Sequence, residues 1–208
     1  MTITEETAVV GTLDRLDETG RALMFTQART ANSFAPVPVT DAELAEIWDL
    51  AKWGPTAANT QPLRVMYVRT DEGRERLLKH MNEGNRAKTE AAPAVAVLAV
   101  DTQFYEHIPE VMPFRPEARD VFAADQEAAE RTSQFSATLQ AAYFIMAVRA
   151  AGLAAGPMAG FDSEGIDADF FPDGRWKSIL VVNIGHPGEN PWFGRLPRLA
   201  HDDVIRWN

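Results

Sequence analysis

Cysteine is absent from all 208 residues, so disulfides, thiolate catalysis and cysteine-held metals are excluded. That absence suits a reducing cytoplasm, the expected location. Basic residues are scarce: 20 Lys and Arg stand against 30 Asp and Glu, a formal charge of −10. Nucleic acids and anionic membranes are met by a basic face, so neither is an expected partner. A local basic pocket for one small phosphate is still compatible with that total. No apolar run approaches 18 residues and the acidic opening "MTITEETAVV" has no basic segment, so neither a membrane span nor a secretory signal is expected. Familiar catalytic signatures are missing too. His80, His107, His186 and His201 lie far apart without HExxH spacing, and there is no GxSxG, GxxxxGK[ST] or GxGxxG. No metal is expected, and no side chain stands out as a catalyst. A chain with unusual polar loops but no nucleophile points to chemistry borrowed from an organic cofactor.

What is present reads as one domain of ordinary globular composition, 46% hydrophobic and 24% charged. "TLDRLDETGRALMFTQA" reads as a first helix, and "ANSFAPVPV" as an extended, proline-punctuated connector. Thr40 and Glu43 form a capping box that opens a helix to about Trp53, which Gly54 and Pro55 stop. "LRVMYVR" alternates like a half-buried strand, "DEGRERLLKHM" is helical, and "AVAVLAVD" is the continuous apolar run of a buried strand. Strand, helix, strand on its own favours a parallel sheet. Residues 101–131, rich in proline, aromatics and charge, read as an excursion with some helix rather than a core element. "SQFSATLQAAYFIMAVRAAGL" should be a central helix buried on almost all faces, ending at Gly152. "KSILVVNIGHP" reads as a further central strand and "HDDVIRW" as a short terminal helix.

Four stretches carry the candidate site. "ARTANSF" places Arg29, Thr30 and Asn32 at the end of the first helix, where a cation is favourable in any case. "GPTAANTQP" is a neutral loop holding two carboxamides, Asn59 and Gln61, and also serves as a helix stop. "GPMAGFD" has glycines that suit either a tight turn or close approach to a flat ligand. "FGRLPR" supplies Arg195 and Arg198, ordinarily solvated residues. Together they match one demand, that of flavin mononucleotide (FMN). Arginine suits its phosphate through charge-assisted bonds. Carboxamides suit a ring edge of alternating donors and acceptors.

In that order these stretches, with "LQAAYFIMAVRAAGL" between the second and third, resemble the nitroreductase superfamily of FMN-dependent enzymes over nearly the full chain. "KWGPTAAN", "GPMAGFD" and "FGRLPRL" are similar to its malonic semialdehyde reductase, or 3-hydroxypropanoate dehydrogenase, branch of pyrimidine breakdown. The resemblance implies an α+β sandwich with a mostly antiparallel central sheet flanked by helices, which replaces the parallel order above. It also implies a homodimer with FMN at the interface. Arg29, Thr30, Asn32 and Arg198, helped by Arg195, would come from one subunit; Pro55, Thr56, Ala58, Asn59 and Gln61 would come from the other. Pro157, Met158, Ala159 and Gly160 would lie along the ring near N5. NADH or NADPH would donate hydride in a ping-pong cycle, and 3-oxopropanoate would accept it to give 3-hydroxypropanoate. A broad nitroaromatic or quinone reductase and a non-catalytic flavin-binding protein are the alternatives. A carboxylate substrate would be oriented by a cation, for which Arg115 and Arg119 of the excursion are candidates. Many relatives carry basic residues where this chain has Ala28 and Asn32, and often an acid at Ala159, so the phosphate would lean on Arg29, Arg195 and Arg198.

Overall fold

The computed structural model describes residues 13–208; the opening segment and the first residue of the expected first helix lie outside them. The helices are α1 (Glu18–Arg21), α2 (Asp41–Ala51), α3 (Asp71–His80), α4 (Glu83–Glu90), α5 (Ile108–Val111), α6 (Ala118–Ala124), α7 (Gln126–Ala150), α8 (Ser163–Phe170) and α9 (His201–Val204). The strands are β1 (Leu63–Val68), β2 (Ala94–Asp101), β3 (Ala154–Met158) and β4 (Trp176–Gly185). They form one sheet in the order β1-β2-β4-β3, and every neighbouring pair is antiparallel. The expected α+β class with an antiparallel sheet is what forms. The parallel order favoured by alternation alone is wrong, because the α3–α4 connection returns the chain antiparallel beside β1.

β2 shows why the sheet must be covered on both sides. All of its residues are buried, and successive side chains of a strand point to opposite faces. Ala94, Ala96, Leu98 and Val100 pack with Leu44 and Ile47 of α2 and with Phe144 and Val148 of α7. Val95, Val97 and Ala99 pack on the other face with Leu77 of α3 and Ile166 of α8. The capping box at Thr40 is present in full, with Glu43 returning the bond to the Thr40 backbone.

Several boundaries differ from expectation. The first helix begins only at Glu18, where Asp17 accepts the Gly20 N–H at 2.6 Å, and it continues as a π turn over Ala22–Thr26. The α2 helix stops at Ala51, two residues early, as the Gly54 N–H turns back to the Ala51 carbonyl. Helices α4 and α8 were not foreseen. "GPM" is not a turn but the end of β3, an edge strand that among the described residues pairs only with β4. The excursion carries a small core of its own, with Phe104, Ile108, Met112, Ala118 and Ala129 all buried. The central helix starts at Gln126, and Gly152, at φ +78°, follows its end. It is not buried all round: Phe135 and Tyr143 are 62% and 44% exposed.

Candidate functional site

The first half of the site is a basic cleft built where residues 26–33, seated on the edge strand β3, meet the segment 189–198. The Ala31 N–H donates to the Ala155 carbonyl of β3 at 3.0 Å. A Cβ on Gly156 would lie 2.8 Å from the Ala31 carbonyl oxygen, so this glycine permits a close approach of the chain to itself. The C-terminal tail then closes over the motif. The Asn32 N–H donates to the Pro191 carbonyl at 3.0 Å, the Ser33 hydroxyl to the Glu189 carbonyl at 2.7 Å, and Arg29 to the Phe193 carbonyl at 3.2 Å. Arg195 Nη2 reaches the Thr26 and Ala28 carbonyls at 2.7 and 3.1 Å.

The result is a cleft of about 200 Å³ whose walls include Arg29, Thr30, Asn32, Arg195 and Arg198, with no acidic residue among them. Its arginines form no ion pair among the described residues. Arg198 Nη1 donates only to the Leu196 and Pro197 carbonyls of its own turn. The remaining guanidinium donors of Arg198 are unengaged there, which suits it to an anion. Sequence reading named each of these residues, and the fold brings them together.

The second half is the amide loop. Gly54 sits under Tyr143, where a Cβ would come within 2.7 Å of the ring. Ala58, Asn59 and Gln61 have φ of 49°, 52° and 44°, a left-handed region that non-glycine residues rarely occupy. Asn59 Nδ2 donates to the Val111 carbonyl at 2.7 Å, and Gln61 Nε2 donates to Asn59 Oδ1 at 3.1 Å. The Gln61 N–H meets Thr56 Oγ1 at 3.3 Å. Pro55, Ala58 and Asn59 stay exposed.

Beneath the loop, Arg64 donates to the Gln61 and Leu63 carbonyls, both at 2.9 Å, and to Asp101 at 2.7 Å. Asp101 is buried and also receives Arg175 Nε at 2.9 Å and the Gln103 N–H at 2.9 Å. Burial pushes the Asp101 carboxyl up, but hydrogen bonds from Arg175 and Gln103 and the charges of Arg64 and Arg175 outweigh it, so it titrates below its usual range.

The third stretch lies at the far end of β3. Pro157 is half-buried, Met158 is buried with its Sδ facing Thr89 and Asn183 at 3.9 Å, and Ala159 is exposed. The Gly160 carbonyl accepts from Asn85 Nδ2 at 2.9 Å. β3 thus carries the basic cleft at its start and this segment at its end. The amide loop lines neither: within one chain it belongs to a different place, against α7 and the excursion. Arg115 and Arg119 are both exposed, with Glu117 at 3.9 Å and Asp120 at 3.5 Å respectively. No group of three or more candidate metal ligands occurs among the described residues, and no helix there is long and apolar enough to cross a membrane.

Sequence reading missed Ser136 and Gln140 of α7. The Ala57 N–H donates to Ser136 Oγ at 3.2 Å, and the Leu63 N–H donates to Gln140 Oε1 at 3.0 Å. The available signal was their spacing: four apart, they share one face of an otherwise apolar helix.

The fold is an antiparallel α+β sandwich with an acid-free, arginine-lined cleft between residues 28–32 and 193–198. The chain belongs to the Nitroreductase family, which it matches over residues 26–186. It is 59% identical over 200 residues to a Streptomyces coelicolor protein named as an NADH dehydrogenase/NAD(P)H nitroreductase, covering 96% of this chain and 99% of that one. A Rhodopseudomonas palustris protein of the same name is 46% identical over 183 residues, covering 88% and 93%. Among solved structures, one described as a nitroreductase in complex with FMN, from Exiguobacterium sibiricum, is similar with a TM-score of 0.77 at 17% identity. It covers 95% of this chain and 100% of that one.

Proposed function

We propose that the chain is an FMN-dependent oxidoreductase that uses NADH or NADPH. The observation that carries this reading is the acid-free cleft in which Arg29, Arg195 and Arg198 converge from opposite ends of the sequence. Its donor set fits a phosphate: guanidinium groups give charge-assisted bonds, and Thr30 and Asn32 add neutral donors beside them. The neutral loop fits a ring edge, since Gln61 Oε1 has no partner among the described residues and can accept. The chemistry such a cofactor would supply when bound is hydride transfer between the nicotinamide and an acceptor. The chain's own residues would hold it, with Arg29, Arg195 and Arg198 on the phosphate and the Pro55–Gln61 loop at the ring. The names of the relatives and the FMN complex of a similar fold support this reading.

Because the cleft and the loop lie apart in one chain, the same proposal makes the working form a homodimer in which each site takes its two halves from different subunits. An exposed apolar stripe supports this. Met24, Phe25, Leu50, Tyr143, Met146 and Ala150 surround an open hollow of about 420 Å³, and contiguous apolar surface of this kind is a mark of interfaces.

For the acceptor we favour a flat, uncharged molecule, a quinone or nitroaromatic. Both cations proposed to orient a carboxylate, Arg115 and Arg119, are exposed and stand beside acids. Reduction of 3-oxopropanoate, drawn from the finer motif resemblance, is the second reading. Anaerobic stopped flow tests all of this. NADH or NADPH should bleach bound flavin, and quinones should reoxidise it faster than 3-oxopropanoate. A flavin that no nicotinamide bleaches would leave only a binding protein, and a monomer that keeps its flavin would refute the shared site.

A further inference from the structure

The amide loop is held in a shape its sequence does not favour. Asparagine tolerates the left-handed region through its short polar side chain, but Ala58 and Gln61 have no such compensation at φ 49° and 44°. Such backbone persists only where the surroundings over-determine it. Two side chains of α7 supply that constraint. Ser136 Oγ accepts the Ala57 N–H at 3.2 Å and has the Thr60 hydroxyl at 3.5 Å. One turn on, Gln140 Oε1 accepts the Leu63 N–H at 3.0 Å. The two residues therefore grip the backbone on either side of the strained positions.

Neither residue is explained by the core around it. Both are fully buried, on a helix whose other inward residues include Ala137, Ala141, Phe144 and Val148. Gln140 Nε2 is buried and meets no partner among the described residues. An unmet buried donor is destabilising, so an apolar residue would pack this position more favourably. What Gln140 supplies that an apolar residue cannot is the bond to Leu63.

We propose that Ser136 and Gln140 are positioning residues: they preset the Pro55–Gln61 loop so that its amides meet the flavin ring without rearrangement, and they touch no ligand themselves. This rests on the flavin reading for what the loop binds, but not for the preset itself. Ser133 provides an internal control. It is equally a buried serine of α7, yet its hydroxyl donates to the Glu130 carbonyl of its own helix at 3.0 Å.

The test compares wild type, Ser136→Ala and Ser133→Ala as full-length apoproteins, by amide hydrogen exchange and by FMN titration. Ser136→Ala should speed exchange at residues 57–63 about 3- to 10-fold and weaken FMN binding by a similar factor, the loss of one neutral hydrogen bond. It should also shift the visible band of the bound flavin. Ser133→Ala should match wild type in all three. Gln140→Met, of similar volume, gives a second route and should accelerate exchange at Leu63. Equal loop exchange in Ser136→Ala and Ser133→Ala overturns the proposal. If wild-type apoprotein takes up no FMN, the flavin reading fails while the exchange comparison still decides the preset.

Discussion

Replacing Arg198 by alanine separates a ligand-binding arginine from a structural one. Arg198 reaches only carbonyls two and one residues before it, so its loss leaves no distant part of the fold unpaired. Stability should change little, within the roughly 0.5 kcal/mol usual for surface substitutions, or about 2 °C in midpoint for a chain of this size. If the guanidinium pairs with the flavin phosphate, a charge-assisted bond of about 1.5–3 kcal/mol disappears, which is roughly 10- to 150-fold in FMN affinity. Hydride transfer at saturating FMN should be nearly unchanged, because the phosphate is remote from the reacting ring. Arg195→Ala should differ. Its bonds to the Thr26 and Ala28 carbonyls tie the tail to the first motif, so both midpoint and affinity should fall. Fluorescence titration of FMN into each apoprotein, with calorimetry alongside, reads both quantities. Wild-type affinity in Arg198→Ala would refute the assignment and leave the phosphate to Arg29 and Arg195.

Gly156→Ala should push the first motif off β3, since its Cβ would sit 2.8 Å from the Ala31 carbonyl oxygen and 3.3 Å from Asn183 Cβ. Overpacking of this kind costs about 1–3 kcal/mol, roughly 2–12 °C in midpoint, and FMN affinity should drop with it; an unchanged midpoint would show that the contact yields freely. Asp101→Asn strips a buried carboxylate from two arginines and should cost about 3 kcal/mol at neutral pH, the low end for a broken buried pair, because both guanidiniums are partly exposed. The folded Asp101 carboxyl titrates below its ordinary value, so its stabilisation is full above the unfolded value near 3.9 and fades as pH falls further. Urea midpoints of wild type and variant should therefore differ at pH 7 and converge below about pH 4. A constant gap would refute the linkage.

Legibility in the sequence tracked how local each signal was. β2 could be read directly, because a strand covered on both faces needs a continuous apolar run. The Thr40–Glu43 capping box was equally plain, for it is complete within four residues. β3 was hidden because its glycine and proline discourage strand, and only its place at the sheet edge makes them tolerable. Sheet polarity was not local at all; it came from the resemblance, and no alternation of elements would have supplied it. The arginines were recognisable by type, yet nothing in their spacing says that Arg195 would cap the helix before Arg29. Ser136 and Gln140 were missed for the opposite reason. Isolated polar residues on an apolar helix read as interruptions until the loop that needs them is in view.

The two halves of the site answer to different physics, and this gives a way to tell them apart. The cleft is exposed and electrostatic, so the phosphate binding proposed for it should be screened by salt over a Debye length of about 8 Å at physiological strength. The loop is neutral, and its cost is met by buried hydrogen bonds that salt barely reaches. Raising ionic strength should therefore weaken FMN binding in wild type and in Ser136→Ala by the same factor. In Arg198→Ala the dependence should be shallower, because one of the screened charges is gone. Parallel salt dependences in all three proteins would mean that Arg198 meets no phosphate, however well the loop fits a ring.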